Sequence, residues 1–114
     1  MLNQVVLVGR IAKEIEVRET ESGKKVATLT LAVPRSFKNI NGEYETDFLY
    51  CSLWDVIASN TREYCKVGDV VGVKGRLTSN TYEKDGVMHY SMDIIAEKVT
   101  FLSSKSKEET EEAS

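Results

Sequence analysis

The chain has 114 residues, of which 41% are hydrophobic, and carries a formal net charge of −3. This length supports one domain with a modest core and excludes a second domain. No apolar run is long enough to cross a bilayer, so we expect no membrane contact. The N-terminal segment lacks the basic region and the cleavage site of a secretory signal, so we expect the protein to stay in the cytoplasm.

Five segments predict β-strands, because each is rich in β-branched or aromatic residues and is bounded by polar or glycine clusters. In chain order they are residues 5–9, 26–33, 48–54, 70–77 and 90–96. Three of the breaks between them contain Gly23, Gly42 and Gly86, each behind a small or polar residue, as hairpin loops require. Consecutive strands are therefore predicted to be antiparallel.

Residues 56–67 interrupt the strand pattern, because apolar and small side chains recur there at helical spacing and Gly68 follows as a left-handed stop. This helix falls between the third and fourth predicted strands. Five antiparallel strands with a helix at that position favour an all-β OB-fold, a small, partly open Greek-key barrel. An SH3-like barrel is the alternative, and the helix disfavours it.

The third predicted strand has two different faces, since alternate side chains of a strand point to opposite sides. Leu49, Cys51 and Leu53 form an ordinary core face. The aromatic residues on the other face are Phe48, Tyr50 and Trp54. Rings turned away from a core offer a flat apolar surface of the kind on which nucleobases stack. A strand buried on both faces is the alternative.

Two further aromatic residues, Phe37 and Tyr82, lie in predicted loops or hairpin arms beside cations. Stacking contributes about 1–3 kcal/mol per base, while Arg and Lys bind the intervening phosphates. Cations on the segments that an OB-fold gathers along its groove are Arg10, Arg18, Lys24, Lys25, Arg35, Lys38, Lys74, Arg76 and Lys84. Among these, the predicted phosphate contacts are Arg10, Arg35, Lys38, Arg76 and Lys84. Cations scattered for solubility are the alternative.

The residues give little support for catalysis. His89 is the only histidine, and no nucleophile motif or carboxylate cluster accompanies it, so we expect a surface histidine. Cys51 and Cys65 lack metal-ligand spacing and are expected to be reduced core residues. The sequence therefore predicts a protein that is not an enzyme and has no metal or cofactor.

The end of the chain differs from the rest in composition. Residues 103–114 contain only Ser, Lys, Glu, Thr and Ala, and predict a disordered acidic tail after a folded domain of residues 1–102. The tail carries −2 of the total charge of −3, which leaves −1 for the domain. A nearly neutral domain can still form a positive groove if its cations share one face.

Three blocks of the sequence resemble one known family. They are residues 3–10 (NQVVLVGR), 26–33 (VATLTLAV) and 63–77 (EYCKVGDVVGVKGRL). Their order and spacing are similar to those of the bacterial single-stranded DNA-binding proteins over roughly residues 1–102. The resemblance implies an OB-fold that assembles as a homotetramer and binds single-stranded DNA of the nucleoid without sequence preference. It also implies roles in replication, recombination and repair.

The family's stacking aromatics correspond to Phe37, Phe48, Trp54 and Tyr82 in this chain. Three of the four differ from the tryptophan or phenylalanine of well-known members. Phe and Tyr still stack on bases, so we expect an altered affinity rather than a lost function. Tyr50 is a candidate by strand parity alone.

The C-terminus departs from the family pattern. Replicative members carry a Gly-, Pro- and Gln-rich linker that ends in an acidic tip with a terminal Pro-Phe, which docks onto partner proteins. This chain ends in EEAS, so we expect no docking of replication or recombination proteins through such a tip, and an accessory role, for example in DNA uptake or on a mobile element. A primosome-type subunit that bridges proteins, with secondary DNA affinity, is the alternative function.

Overall fold

A computed structural model describes residues 1–104 of the chain. Its elements in order are β1 (Val5–Ile11), β2 (Val17–Glu19), β3 (Lys25–Lys38), β4 (Tyr44–Trp54), α1 (Asp55–Tyr64), β5 (Val70–Lys84) and β6 (Val87–Ser103). The five long strands are the five predicted ones. Strand β2 was not predicted, because three residues are too few to show an alternating pattern. The helix consequently lies between the fourth and fifth strands of the structure rather than between the third and fourth.

The strands close into the predicted barrel. Their order is β1-β5-β6-β4-β3-β2, and an additional pairing of β1 with β3 completes the closure. The hairpins β3–β4 and β5–β6 are antiparallel, as predicted. Strand β6 pairs with β4 in parallel, however, at Cys51↔Ile94 and Ser52↔Ile95. Turn signals could not reveal this pairing, because no hairpin connects the two strands. The OB-fold prediction is confirmed.

The barrel interior is built from the alternate residues of the long strands. The largest fully buried side chains are Ile11, Leu29, Leu31, Leu53, Val71, Val73 and Cys51. Each buried aliphatic side chain contributes about 1.5–3 kcal/mol relative to an exposed one. Both cysteines are free and buried, and burial raises the pKa of the Cys51 thiol to about 11. Among residues 1–104, no helix has the length and apolar character needed to span a membrane.

Helix α1 ends at Tyr64, three residues before the predicted end. The Lys66 amide donates to the Asp69 carboxylate at 2.8 Å, whereas a continuing helix would direct it to a backbone carbonyl four residues back. Gly68 has the expected left-handed φ, +96°, but lies in the turn that follows the helix. The backbone is already extended at Cys65, and Asp69 holds the turn that follows the helix.

Two hairpins extend past the predicted strand ends and form arms. The β3–β4 arm consists of residues 34–47 and the β5–β6 arm of residues 78–93. The second arm closes through Asp85 and Gly86, whose φ angles of +53° and +77° define the tight turn that suits a right-twisted hairpin. Arm residues are mostly exposed on both faces, so they lack the apolar alternation by which strands are predicted. The predicted tail begins at Ser103, which ends β6; residues 105–114 lie outside the described part of the chain.

Candidate nucleic-acid interface

The three rings of β4 lie on the outer face of the barrel, as their parity predicts. Phe48 is 56% exposed, Tyr50 57% and Trp54 36%. The alternative of a strand buried on both faces is therefore wrong. Strand β4 ends at Trp54, because Asp55 turns the chain with a φ of +52°. Phe48 and Trp54 are six residues apart, so the rings line about 20 Å of the surface.

Small or compact residues of β3 lie beside these rings. The register pairs are Phe48 with Ala32, Tyr50 with Thr30, and Trp54 with Val26. Residues directly opposite each other in an antiparallel pair share a face, with Cβ atoms about 4.5–5.5 Å apart. Strand β3 therefore forms a low floor next to the rings, in which Thr30 and Val26 are only 3% and 7% exposed whereas the rings are 36% to 57% exposed.

Two cations reach this face from the chain segment at the end of β1. Arg10 lies opposite Ala32, as an outward residue, and its Nη1 donates to the Gly68 carbonyl at 2.6 Å. The Lys13 ammonium lies 5.9 Å from the centre of the Tyr50 ring. Lys13 was not a predicted site residue. Its place depends on the β1–β3 pairing, which the sequence does not specify.

The β3–β4 arm carries Phe37, Lys38 and Tyr44. Phe37 is 72% exposed, and Tyr44, which the sequence analysis missed, is 59% exposed. The Lys38 ammonium lies 5.8 Å from the Tyr44 ring centre. The sequence signal for this pair was weak, because Tyr44 precedes the predicted strand. The arm thus presents one open ring and one ring with an adjacent cation.

Arg35, a predicted phosphate contact, forms ion pairs on the same arm. Its Nη2 lies 3.0 Å from an Asp47 oxygen and its Nη1 lies 2.6 Å from a Glu45 oxygen. The hydrogen bond to Asp47 is the main cause of a raised pKa for Arg35, and the same bond lowers the pKa of Asp47. The two carboxylates offset the guanidinium charge and connect β3 with β4.

Tyr82 lies on the β5–β6 arm and is 53% exposed. Its ring stacks on His89, with centroids 5.0 Å apart and an interplanar angle of 12°. The predicted surface histidine is thus a half-buried stacking partner. Lys84 ends β5 next to the turn, and the outward Arg76 lies six residues before Tyr82, about 20 Å along the strand.

The predicted site residues therefore form separate groups. Phe48, Tyr50, Trp54 and Arg10 share the outer barrel face, whereas the β3–β4 arm holds Phe37, Arg35 and Lys38 and the β5–β6 strands hold Tyr82, Lys84 and Arg76. Within residues 1–104, no three His, Cys, Asp or Glu side chains are placed to hold a metal ion. The groups are suited to reversible contacts with rings and anions.

The sequence model of the Single-strand binding protein family matches residues 2–102. The chain belongs to this family. The chain is 47% identical over 109 residues to "Single-stranded DNA-binding protein B" of Bacillus subtilis, which covers 95% of this chain and 96% of that relative. It is 49% identical over 106 residues to "Single-stranded DNA-binding protein 3" of Listeria innocua, which covers 92% of this chain and 66% of that relative.

A third relative, "Single-stranded DNA-binding protein" of Bacillus cereus, is 47% identical over 103 residues, which cover 90% of this chain and 61% of the relative. The chain thus spans nearly all of the Bacillus subtilis protein but about two thirds or less of the other two. The predicted resemblance is confirmed over nearly the whole predicted range of residues 1–102, and with it the predicted class of function, binding of single-stranded DNA.

Proposed function

We propose that this protein binds single-stranded DNA without sequence preference by stacking bases on the exposed rings of β4 and of the two arms. The observation that carries the proposal is the alignment of Phe48, Tyr50 and Trp54 on one outer face, beside the low floor of β3. Every base has a π-face, so stacking tolerates any sequence. Nearby Lys and Arg side chains contact the phosphates, which makes the affinity fall with salt.

We extend the proposal to assembly and cellular role. The protein forms a homotetramer in the cytoplasm, bound to the nucleoid, and serves in replication, recombination, repair or DNA uptake. Val6 and Val8 support self-association, because they are 68% and 54% exposed on β1 and give an apolar surface for another subunit to cover. Sedimentation of the full chain is expected to show a species of four chains; a monomer at micromolar concentration would contradict the assembly.

One observation favours the alternative of a protein-bridging subunit. Met88, Tyr90 and Met92 lie on one face of the β5–β6 arm and are 49%, 78% and 70% exposed. Such a stripe is typical of a protein contact. This alternative predicts a dimer with weak affinity for DNA, whereas the principal proposal predicts strong, salt-dependent binding.

The binding of a labelled oligo-dT by ring variants tests the proposal. Trp54→Ala is expected to weaken binding by about 1–3 kcal/mol, or about 5- to 150-fold. Trp54→Phe keeps a stacking ring and should retain most of the affinity. The matched control is Val56→Ala, which truncates an exposed residue at the start of α1. Equal affinities of Trp54→Ala and Val56→Ala would remove Trp54 from the interface.

A further inference from the structure

The outer face of β3 has different neighbours on its two sides. On one side lie the rings of β4, described above. On the other side lie β1, the segment that follows it, and β2, and three cations occur there at the level of the three rings. These are Arg10 beside Ala32, Lys13 near Tyr50 and Arg18 opposite Val26. Neighbouring strands are about 4.8 Å apart, so cations and rings flank a corridor about 10 Å wide.

Lys13 reaches across this corridor. The Ala12 amide donates to the Thr30 carbonyl at 2.9 Å, which keeps the chain beside β3 after β1 has ended. The Lys13 ammonium nevertheless lies near the Tyr50 ring, on the far side of β3. Thr30, between the two, is only 3% exposed although it belongs to the outer face. The lysine side chain therefore lies over the floor of the corridor.

Arg18 occupies the other end of the same side. Val17 packs against the core cluster, so the next residue of β2 points outward. Arg18 lies opposite Val26, which in turn lies opposite Trp54. Within residues 1–104, neither Arg18 nor Lys13 forms an ion pair, in contrast to Arg35. Both charges are thus available to an anion.

We propose that the bound DNA strand runs along β3 with its bases turned toward the β4 rings and its phosphates turned toward Lys13 and Arg18. This inference rests on the proposed function and adds the orientation of the strand. A base needs a ring face and a phosphate needs a cation, and the structure offers them on opposite sides of one low floor. An exposed cation–π contact is weak, so the Lys13 ammonium leaves Tyr50 and binds a phosphate when DNA enters.

Arg10 lies in line with these two cations, but its guanidinium already donates to the Gly68 carbonyl. The proposal therefore depends on Lys13 and Arg18. Lys13 was not a predicted site residue and Arg18 was named only among the cations of the groove segments, because the pairing of β1 and β2 with β3 is what brings them beside the rings.

The salt dependence of oligo-dT binding tests this orientation. For single strands, each phosphate contact contributes about 0.7 to the slope of log K against log salt. Lys13→Gln and Arg18→Gln are each expected to flatten the slope by about 0.7, and the double variant by about 1.4. Lys98→Gln is the matched control, because this exposed lysine of β6 lies opposite Lys74 of β5, away from β3. Its slope should equal that of the unmodified protein.

An oligonucleotide with an uncharged methylphosphonate backbone provides a second readout. Lys13→Gln and Arg18→Gln should bind it as well as the unmodified protein does, since no phosphate charge remains to be contacted. Unchanged slopes for both variants on ordinary oligo-dT would overturn the orientation. Trp54→Ala, measured in parallel, distinguishes the failures. If it weakens binding while both slopes stay unchanged, only the orientation is wrong; if it too has no effect, the proposed interface itself fails.

Discussion

The barrel face and the two arms both present aromatic rings and cations, but different interactions hold them in place. On the barrel, Cys51 and Leu53 alternate with the rings of β4 and are fully buried, so core packing holds this part of the strand. On the arms both faces are exposed, and geometry depends on local pairs such as Arg35 with Asp47 and Tyr82 with His89. The difference indicates that the barrel supplies a preformed site. The arms add further ring and cation contacts, which are held in place by pairs of side chains on the arms themselves.

The largest effect is expected from the core beneath the barrel face. Leu31 is fully buried between the two residues of β3 that lie beside Phe48 and Tyr50. Leu31→Ala should lower the free energy of unfolding by about 2–5 kcal/mol, through lost burial and a residual cavity. Urea unfolding measures this, with Val56→Ala, at an exposed position at the start of α1, as the control. A loss below about 1 kcal/mol would contradict a site fixed by the core.

The next effect concerns the place where the β5–β6 arm leaves the barrel. A Cβ atom on Gly75 would clash with the Ile95 carbonyl oxygen. Gly75→Ala therefore forces the two backbones apart and should cost about 1–3 kcal/mol of unfolding free energy. Gly72→Ala, whose nearest contact would be 3.7 Å, is the matched control in the same strand. Equal unfolding curves for the two variants would show that the backbone at Gly75 and Ile95 accommodates the added Cβ atom without strain.

An effect of similar size is expected on DNA binding by the β5–β6 arm. Tyr82→Ala removes a stacking ring and should weaken oligo-dT binding by about 1–3 kcal/mol. His89→Ala only removes the support of that ring, so its effect should have the same sign and be smaller, and His89→Phe should restore the affinity. Fluorescence anisotropy of a labelled oligonucleotide measures all three. If His89→Ala lowers the affinity for oligo-dT more than Tyr82→Ala does, His89 itself contacts the DNA.

The smallest effect is expected from Arg35, because two carboxylates offset its charge. Arg35→Gln should leave the salt dependence of oligo-dT binding unchanged, in contrast to Lys13→Gln. A flattening of the slope by about 0.7 would instead identify Arg35 as a phosphate contact. The arm would then bind phosphates as the barrel face does.

Sequence reasoning succeeded where burial imposes a period of two. The alternation along β4 predicted its outer rings and the buried Cys51 and Leu53, although Leu49 is only half-buried, and the three family-like blocks predicted the barrel. It failed where a feature depends on pairings distant in the chain. The parallel β4–β6 contact and the place of Lys13 arise from barrel closure, whereas β2, with three residues, is too short to show a pattern. Arg35 shows the same limit, since its carboxylate partners lie ten and twelve residues away on β4.

Bases stack on the outer face of β4 in the proposed complex, and Trp54, the only tryptophan, reports on that face directly. The measurement is a titration of the full chain with oligo-dT, followed by tryptophan fluorescence at low and high salt, with duplex DNA as control. We expect strong quenching by oligo-dT at low salt, a weaker affinity at high salt and little response to duplex. An unchanged fluorescence at both salt concentrations, under conditions in which a labelled oligo-dT binds, would show that the DNA binds elsewhere and that bases do not stack on Trp54.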